Sequence, residues 1–427
     1  MIKKINFKSK LLRSIVVLMT GTLASQIINL ALSIPSLKYY YEAEDMAEWG
    51  LFMRIVAVGG ALATARYEFA IPVAKADIHS FRLYRIALRI AIKVSLITGV
   101  AALIPIFFFS DLDDMIFYAL IPIALFFTAY YSIGTNWAIR KKRYRGISFS
   151  KITATSVGGG SKLLFGWAGT GYIGLIIGTV IGMIASNTWF FRDFLKLNRN
   201  YKVKSNSPRN KMLAKEYSEF PKVNLPHTLM DVGRDLLVAI LLIKIFSEED
   251  FGYFDQSYRM LRLPLMLAGL AVGQVFFQRS AEKYSNRENI LPMILKSVKL
   301  LTLISIVPFT LIFFFGDDLF AYVFGERWRG AGEYSEIMAP WFMLNFIASP
   351  ISFLPLVLRK QRQFFLMAAV GSIMMILAVI IPTLVFEADV KVTLWALSLS
   401  QVAYFIFFIF KILDFIRKSN KERSIEN

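Results

Sequence analysis

The stretch WGLFMRIVAVGGALATARYEFAIPV (residues 49–73) is a long apolar run that carries three charged side chains, Arg54, Arg66 and Glu68. A helix of this length would extend roughly 36 Å, which is enough to cross a bilayer. A charge at bilayer depth costs roughly 2.5–3.5 kcal/mol even on the lenient insertion scale. The stretch therefore predicts a membrane-spanning helix, and its charges are expected to serve a function.

The composition of the whole chain supports a membrane protein. Of the 427 residues, 56% are hydrophobic and only 19% are charged, and the mean hydropathy is +0.53. Apolar runs of membrane-spanning length recur from end to end, which predicts an all-α polytopic membrane protein. The absence of cysteine excludes disulfides, cysteine-ligated zinc and thiol catalysis, and two histidines are too few for a histidine metal cluster. We therefore predict no metal and no cofactor.

The apolar runs predict about 12 transmembrane helices. The predicted spans are residues 14–37, 49–73, 91–110, 115–139, 147–168, 171–191, 223–246, 252–278, 298–316, 334–358, 364–386 and 392–416.

The net charge of +19 could suggest nucleic acid, but the positions of the charges favour a topology signal. Basic connections such as RKKRYR (140–145), RKQR (359–362) and the tail from Arg417 alternate with acidic ones such as DLDD (111–114). Every basic connection lies on one side if both termini are cytoplasmic. We therefore predict a multi-pass protein with cytoplasmic termini and no nucleic-acid partner.

A weak internal repeat predicts two lobes. AEDMAEWGLFMRIV (43–56) aligns with SEEDFGYFDQSYRMLR (247–262), and the alignment places Arg54 on Arg259. Because each half has six spans, both halves have the same orientation, which predicts two six-helix bundles related by a pseudo-twofold axis along the membrane normal. The expected organisation is an N-terminal lobe (1–191), a basic cytoplasmic linker (192–222) and a C-terminal lobe with a cytoplasmic tail (223–427).

Helical spacing predicts that the charged residues of the spans line an aqueous cavity. In the eighth span Asp255, Arg259 and Arg262 share one face, together with Met266, Gly269 and Gly273; in the second, Arg54, Ala61 and Glu68 do so. Arg66 is expected beside that second stripe. The fifth span places Lys151, Thr155, Gly158 and Lys162 on one side, the seventh carries Asn224, His227, Asp231, Arg234 and Asp235, and the first has a polar stripe beginning at Thr22.

Structural roles are the alternative for these residues. Arg66, Glu68 and Lys151 could extend toward the cytoplasmic interface or pair with each other. Asp231 with Arg234, and Asp255 with Arg259, could be ion pairs within their own helices. Charges inside a membrane more often face a pathway, which favours the cavity.

The excess of positive charge in the candidate cavity predicts an anionic substrate. Six cations (Arg54, Arg66, Lys162, Arg234, Arg259 and Arg262) exceed four carboxylates (Glu68, Asp231, Asp235 and Asp255). Guanidinium groups suit phosphate and carboxylate because they offer forked donors that stay charged. The four carboxylates are expected to hold the arginines in place or to carry a coupling ion.

Three segments resemble a known family. ASQIINLALSIPSL in the first span, RYEFAIPVAKA (66–76) and FGERWRGAGEYSEIMAPWF (324–342) are similar to segments of the polysaccharide transporters of the multidrug/oligosaccharidyl-lipid/polysaccharide exporter superfamily. The resemblance extends over nearly the whole chain in span number and loop pattern. Within this family the chain looks most like the O-antigen or capsule-unit flippases.

The resemblance implies a function and a location. Such a flippase moves an undecaprenyl-pyrophosphate-linked oligosaccharide across the bacterial inner (plasma) membrane by alternating access through a cationic central cavity. Its expected partners are this lipid-linked substrate, membrane lipid and other surface-polysaccharide assembly proteins. Arg54, Arg259 and Arg262 are the residues expected to contact the anion.

Two other classes of protein stay open. A drug/cation antiporter of the same superfamily would favour carboxylates or aromatic rings around a cation, whereas the cavity predicted here is basic. A membrane enzyme such as a polysaccharide polymerase or ligase would need a substantial outer loop or a catalytic set near the surface. We predict a transporter without enzymatic activity.

Overall fold

The computed structural model describes residues 10–108, 111–201, 208–268, 274–286, 288–358 and 360–425, and within these ranges it contains helices and no β-strand. The α-helices are α1 (Lys10–Tyr39), α2 (Ala43–Thr64), α3 (Asp77–Phe108), α4 (Leu112–Arg140), α5 (Tyr144–Trp167), α6 (Gly171–Asn200), α7 (Pro208–Glu216), α8 (Leu225–Ile245), α9 (Glu248–Ala268), α10 (Gln274–Ser285), α11 (Leu291–Phe324), α12 (Arg329–Ile351), α13 (Leu354–Val357), α14 (Gln361–Phe386) and α15 (Val390–Ile425).

The prediction of an all-α polytopic membrane protein is confirmed. Among the described residues, eight helices are long and apolar enough to cross a membrane: α1, α2, α3, α4, α6, α11, α14 and α15. Four more long helices, α5, α8, α9 and α12, lie at predicted spans and carry more charged, polar or glycine residues. Each of the predicted spans thus contains one long helix.

The first compact unit comprises Met1–Tyr41 and Glu48–Leu236. Inside it α5 packs along α6 and α1, and α4 packs on α3 and α6. An aromatic cluster fills the space between α3, α4 and α6: the rings of Tyr84 and Phe194 stack at 5.6 Å, and Phe81 and Trp137 are almost fully buried. These large buried rings fix the helices of this unit against one another.

The second unit comprises Glu42–Ala47 and Leu237–Asn427. Here α12 is the central helix, packed against α9, α11 and α15, with Phe342 fully buried. The start of α2 belongs to this unit, because a Cβ on Gly252 would lie 1.9 Å from the Ala43 carbonyl oxygen. Only glycine permits such a close approach of two backbones.

The internal repeat is visible in the helix boundaries. The alignment of the two halves pairs Ala43 with Glu248, and these residues begin α2 and α9. The paired arginines, Arg54 and Arg259, therefore lie at the same position from the start of each helix.

The second predicted span (49–73) is not one helix, which corrects the expectation for Glu68. Helix α2 ends at Thr64, Ala65 and Arg66 have positive φ angles of 45° and 61°, and a short 3-10 helix follows at Tyr67–Ala70. Glu68 and Arg66 thus lie beyond α2, and the expected helical stripe of Arg54, Ala61 and Glu68 is wrong.

The eighth predicted span (252–278) also differs in the structure. Helix α9 begins at Glu248 and ends at Ala268, and α10 begins at Gln274. Gly269 and Gly273 of the predicted stripe lie outside the described residues. Asp255, Arg259, Arg262 and Met266 all lie on α9.

Candidate functional site

Arg66 and Glu68 form a buried ion pair just after α2. Arg66 Nη1 lies 3.3 Å from Glu68 Oε1, and the two side chains are 17% and 1% exposed. Ser132 on α4 donates a long hydrogen bond of 3.5 Å to the same oxygen. The other oxygen, Glu68 Oε2, is buried and has no hydrogen-bond partner among the described residues. This carboxylate therefore depends on Arg66 for its main compensation.

The end of α2 explains how this pair forms. Residues two apart in a helix do not face each other, so Arg66 and Glu68 could not meet if α2 continued. The left-handed backbone at Ala65 and Arg66 turns the chain, and the guanidinium also lies 5.4 Å from the Phe69 ring centroid. Both charged residues could be identified from the sequence, whereas Ser132 is 64 residues away from Glu68 and no local pattern indicated it.

Helix α8 carries a second charged group, at the positions predicted from the sequence. Arg234 donates to Asp235 Oδ1 from Nη2 at 2.8 Å and from Nε at 3.0 Å. Asp231 Oδ1 lies 3.9 Å from Arg234 Nη1, and His227 Nδ1 lies 3.6 Å from Asp231 Oδ2. The alternation of sign along one helix holds these partly buried side chains together.

Helix α9 carries the third group, in the second unit. Arg259 donates from Nε to Asp255 Oδ2 at 2.5 Å, and the Asp255 side chain is 2% exposed. Arg262 is exposed, stacks 5.2 Å from the Tyr258 ring centroid and has no carboxylate within 4 Å in the described part of the chain. Tyr258 precedes Arg262 by one helical turn, so this contact follows from the local helical spacing of the two residues.

Lys162 and Arg54 lie in the first unit. Lys162 Nζ is 3.8 Å from the ring centroid of Trp49, a cation–π contact, and Trp49 donates from Nε1 to Thr179 at 2.8 Å. Arg54 on α2 donates to the Gly50 carbonyl oxygen at 3.2 Å. The aromatic partner of Lys162 is more than 100 residues away in the sequence, which is why spacing alone did not reveal it.

A polar seam joins α1 to α5. Lys151 donates to Thr22 Oγ1 at 3.1 Å, and the hydroxyls of Ser25 and Thr155 lie 3.3 Å apart. Thr22 and Ser25 are nearly buried. These side chains satisfy one another, which gives Lys151 and Thr155 a role in holding two helices together.

The segment GERW (325–328), which carries part of the family resemblance, forms the connection between α11 and α12. Trp328 is fully buried and meets the Tyr253 ring edge to face at 6.2 Å. Arg329 donates to Glu326, Asp317 and Asp318 at 2.6–2.8 Å. The hydrogen bond from Arg329 lowers the pKa of the Glu326 carboxyl and so favours its ionised form. Glu326 lies in the connection between α11 and α12.

The arginine side chains described above have donors suited to binding an anion. Three arginines are each held by a neighbouring carboxylate, in the pairs Arg66–Glu68, Arg234–Asp235 and Arg259–Asp255. A carboxylate fixes the guanidinium while leaving further N–H donors for an anion. Arg262, exposed and stacked on a ring, presents its donors without such a partner in the described residues.

The fold is shared with solved membrane transporters. An inward-facing multidrug-resistance MATE family transporter of the MOP superfamily matches with a TM-score of 0.72 at 14% identity, over 95% of this chain and 99% of that one. The lipid II flippase MurJ in an inward closed conformation matches with a TM-score of 0.68 at 16% identity, over 95% and 90%. A MOP superfamily transporter from Pyrococcus furiosus matches with 0.63 at 12%, over 95% and 96%.

Together the helices and these likenesses define the class: a multi-pass membrane protein with the fold of the MOP superfamily. The chain belongs to the polysaccharide biosynthesis protein family, because the model of that family matches residues 74–333, more than half of the chain. A comparison with curated proteins found no match. The family resemblance drawn from the sequence is thereby confirmed.

Proposed function

We propose that this protein is a flippase that moves an undecaprenyl-pyrophosphate-linked oligosaccharide, such as an O-antigen or another surface-polysaccharide unit, across the bacterial inner membrane. The observation that carries the proposal is the match to the polysaccharide biosynthesis family in a chain with the fold of membrane exporters. That combination favours movement of a polysaccharide precursor over its chemical synthesis.

The charges on the membrane helices support an anionic cargo. A pyrophosphate leaving water needs donors that replace its hydration, and a guanidinium provides two parallel N–H groups to phosphate oxygens. We assign anion contact first to Arg54, Arg259 and Arg262, and then to Arg66, Arg234 and Lys162. Glu68, Asp231, Asp235 and Asp255 position the arginines or carry a coupling ion.

The proposed cycle is alternating access. The pyrophosphate and its sugars bind the cationic side chains while the polyprenyl tail stays in lipid, and a conformational change then opens the path to the opposite leaflet. The cost of moving the charge through the membrane is lowered because arginines replace water around it. In the proposed topology, the N-terminus and the C-terminus both lie on the cytoplasmic side of the membrane.

Flipping in proteoliposomes tests the proposal. A fluorescent undecaprenyl-pyrophosphate oligosaccharide is placed in both leaflets, and the fraction that reaches an outside quencher is followed over time. Vesicles with wild-type protein are compared with empty vesicles, with Arg262→Gln and with the control Arg199→Gln, which removes an exposed arginine at the end of α6. Arg262 has no carboxylate partner among the described residues, so its removal leaves no buried acid behind.

The proposal predicts protein-dependent flipping that Arg262→Gln slows and Arg199→Gln leaves unchanged. A cationic dye loaded into the same vesicles tests the rival antiporter. Ion-driven movement of the dye, with no movement of the lipid-linked sugar, would show that the protein is a cation exporter and not the proposed flippase. Turnover of the sugar lipid into a new product would instead point to an enzyme.

A further inference from the structure

A lysine-lined cavity lies in the second unit, and its lining residues do not include the arginines of α9. It has a volume of about 450 Å³, within the range of small-molecule sites. Its polar wall includes Lys360, Lys411 and Lys418, and its apolar wall includes Leu366, Met367 and Phe415. We call this site the lysine pocket. A pocket that combines several cations with an apolar wall fits an amphiphilic anion.

The helices place the three lysines together. Lys411, Phe415 and Lys418 are spaced by four and three residues on α15, so they share one face. Lys360 immediately precedes α14. Tyr284 from α10 closes one side, where its hydroxyl lies 3.4 Å from Ser419 Oγ. Segments that are distant in sequence thus build the pocket.

The pocket keeps a positive excess. Asp414 lies 2.9 Å from Lys418 Nζ and 4.0 Å from Lys411 Nζ, and its carboxylate compensates one of the three cations. Lys411 Nζ also lies 5.5 Å from the Phe415 ring centroid. Two net positive charges remain, which suits a phosphate group, a ligand that lysine binds well.

An exposed apolar stripe on α14 leads away from the pocket. Leu366 is part of the pocket wall and is 55% exposed, and Val370, Ile373 and Leu377 continue from it with 47%, 56% and 44% exposure. Their spacing of four, three and four residues places them on one helix face. In a membrane-spanning helix such a face meets lipid chains, so a ligand seated in the pocket can continue into the bilayer.

We propose that the lysine pocket binds the headgroup of an anionic phospholipid, with an acyl chain along the exposed stripe of α14. The charges of the pocket recognise the phosphate, and the stripe distinguishes a lipid from a soluble phosphate. The site lies at the end of α15 where the sequence predicts the cytoplasmic side, and basic residues near a membrane surface attract anionic lipid.

Native mass spectrometry of the full-length protein in detergent tests this site. The probes are phosphatidylglycerol, phosphatidylcholine with the same acyl chains, and glycerol 3-phosphate as a soluble competitor. The triple variant Lys360→Gln, Lys411→Gln, Lys418→Gln is compared with the control Lys391→Gln. Lys391 is a matched control because it pairs with Glu333 at 2.7 Å at the opposite end of α15, as Lys418 pairs with Asp414 at 2.9 Å.

Wild-type protein is expected to bind phosphatidylglycerol more tightly than phosphatidylcholine, and each lysine removed is expected to weaken it about fivefold. Lys391→Gln should bind like wild type. The single variant Lys411→Gln keeps the Lys418–Asp414 pair and provides the test if the triple variant does not fold. Leu366→Asn should weaken the lipid while leaving glycerol 3-phosphate unaffected.

Three results would overturn the assignment. Equal binding of the two lipids by wild type would remove the charge recognition, and unchanged phosphatidylglycerol binding by the triple or single lysine variant would remove the pocket. Displacement of lipid by glycerol 3-phosphate at the affinity of the lipid itself would reassign the pocket to soluble phosphates. No transport is measured, so these outcomes are independent of the proposed flippase function.

Discussion

Arg259 holds the buried carboxylate of Asp255 one turn earlier on α9, with Nε and Oδ2 2.5 Å apart. The Asp255 side chain is 2% exposed, whereas that of Arg259 is 28% exposed. The arginine therefore compensates a charge inside the helix packing while part of its guanidinium stays accessible. We therefore propose that Asp255 holds Arg259 in place and that Arg259 is the group that binds a ligand.

Breaking this pair from one side should destabilise the protein. Arg259→Gln removes this ion pair from the buried Asp255 carboxylate, and we expect a loss of about 3 kcal/mol, the lower end for a broken buried pair. The double variant Asp255→Asn, Arg259→Gln should regain much of that loss because it buries no charge. Thermal unfolding in detergent measures both, and a double variant no more stable than Arg259→Gln would contradict the compensating role.

The pair after α2 allows a comparison with a surface pair. Arg66→Gln leaves Glu68, 1% exposed, without its arginine, and should cost about 3 kcal/mol. Lys75 pairs with Glu216 at 3.3 Å, but these side chains are 81% and 42% exposed, so Lys75→Gln should cost less than about 1 kcal/mol. Equal losses of stability in the two variants would show that Glu68 is not held by Arg66.

The positive φ angles at the end of α2 give a backbone prediction. Ala65 has a φ of 45°, a conformation that costs an alanine roughly 1–2 kcal/mol. Ala65→Gly should therefore raise the unfolding temperature. Ala57→Gly, within α2, is the matched control and should lower stability by about 0.5–1 kcal/mol. A loss of stability in both variants would indicate that α2 continues through Ala65.

Much of the helix framework could be predicted from the sequence, since the length and apolarity of each span determine it. The end of α2 could not, because residues 63–73 are apolar enough to continue the helix. It depends on the burial of Glu68 against Ser132, a contact between distant residues. Local spacing gave Asp255–Arg259 and Asp231–Arg234 as intrahelical pairs only as the alternative to a cavity lining, and the structure contains both pairs. The position of Trp49 beside Lys162 required the folded chain.

The glycines of α5 and α6 show the same limit of sequence reasoning. The three consecutive glycines of GGG (158–160) have different surroundings in the structure. A Cβ on Gly158 would lie 3.2 Å from the Gly182 Cα atom, one on Gly159 would lie 2.7 Å from Leu32, and one on Gly160 would meet nothing within 4 Å. Gly158 and Gly182 thus permit two helices to approach closely.

This difference predicts opposite effects of alanine. Gly182→Ala would place its Cβ 2.7 Å from the Ala154 carbonyl oxygen and should cost about 1–3 kcal/mol, because backbone must move. Gly160→Ala should be neutral or stabilising by up to about 1 kcal/mol, since alanine favours the helix. Unfolding temperatures of the two variants measure the difference, and a tolerated Gly182→Ala would contradict the close packing of α5 on α6.

The most direct test of the central claim is the rate of flipping of the lipid-linked pyrophosphate oligosaccharide by the double variant Asp255→Asn, Arg259→Gln. This variant removes the arginine without leaving a buried charge, so lost transport is separated from lost folding. We expect a rate at least about tenfold below wild type, the equivalent of about 1.4 kcal/mol of lost interaction, in a protein that still folds. A folded double variant that flips the substrate at the wild-type rate would contradict an anion-binding role for Arg259.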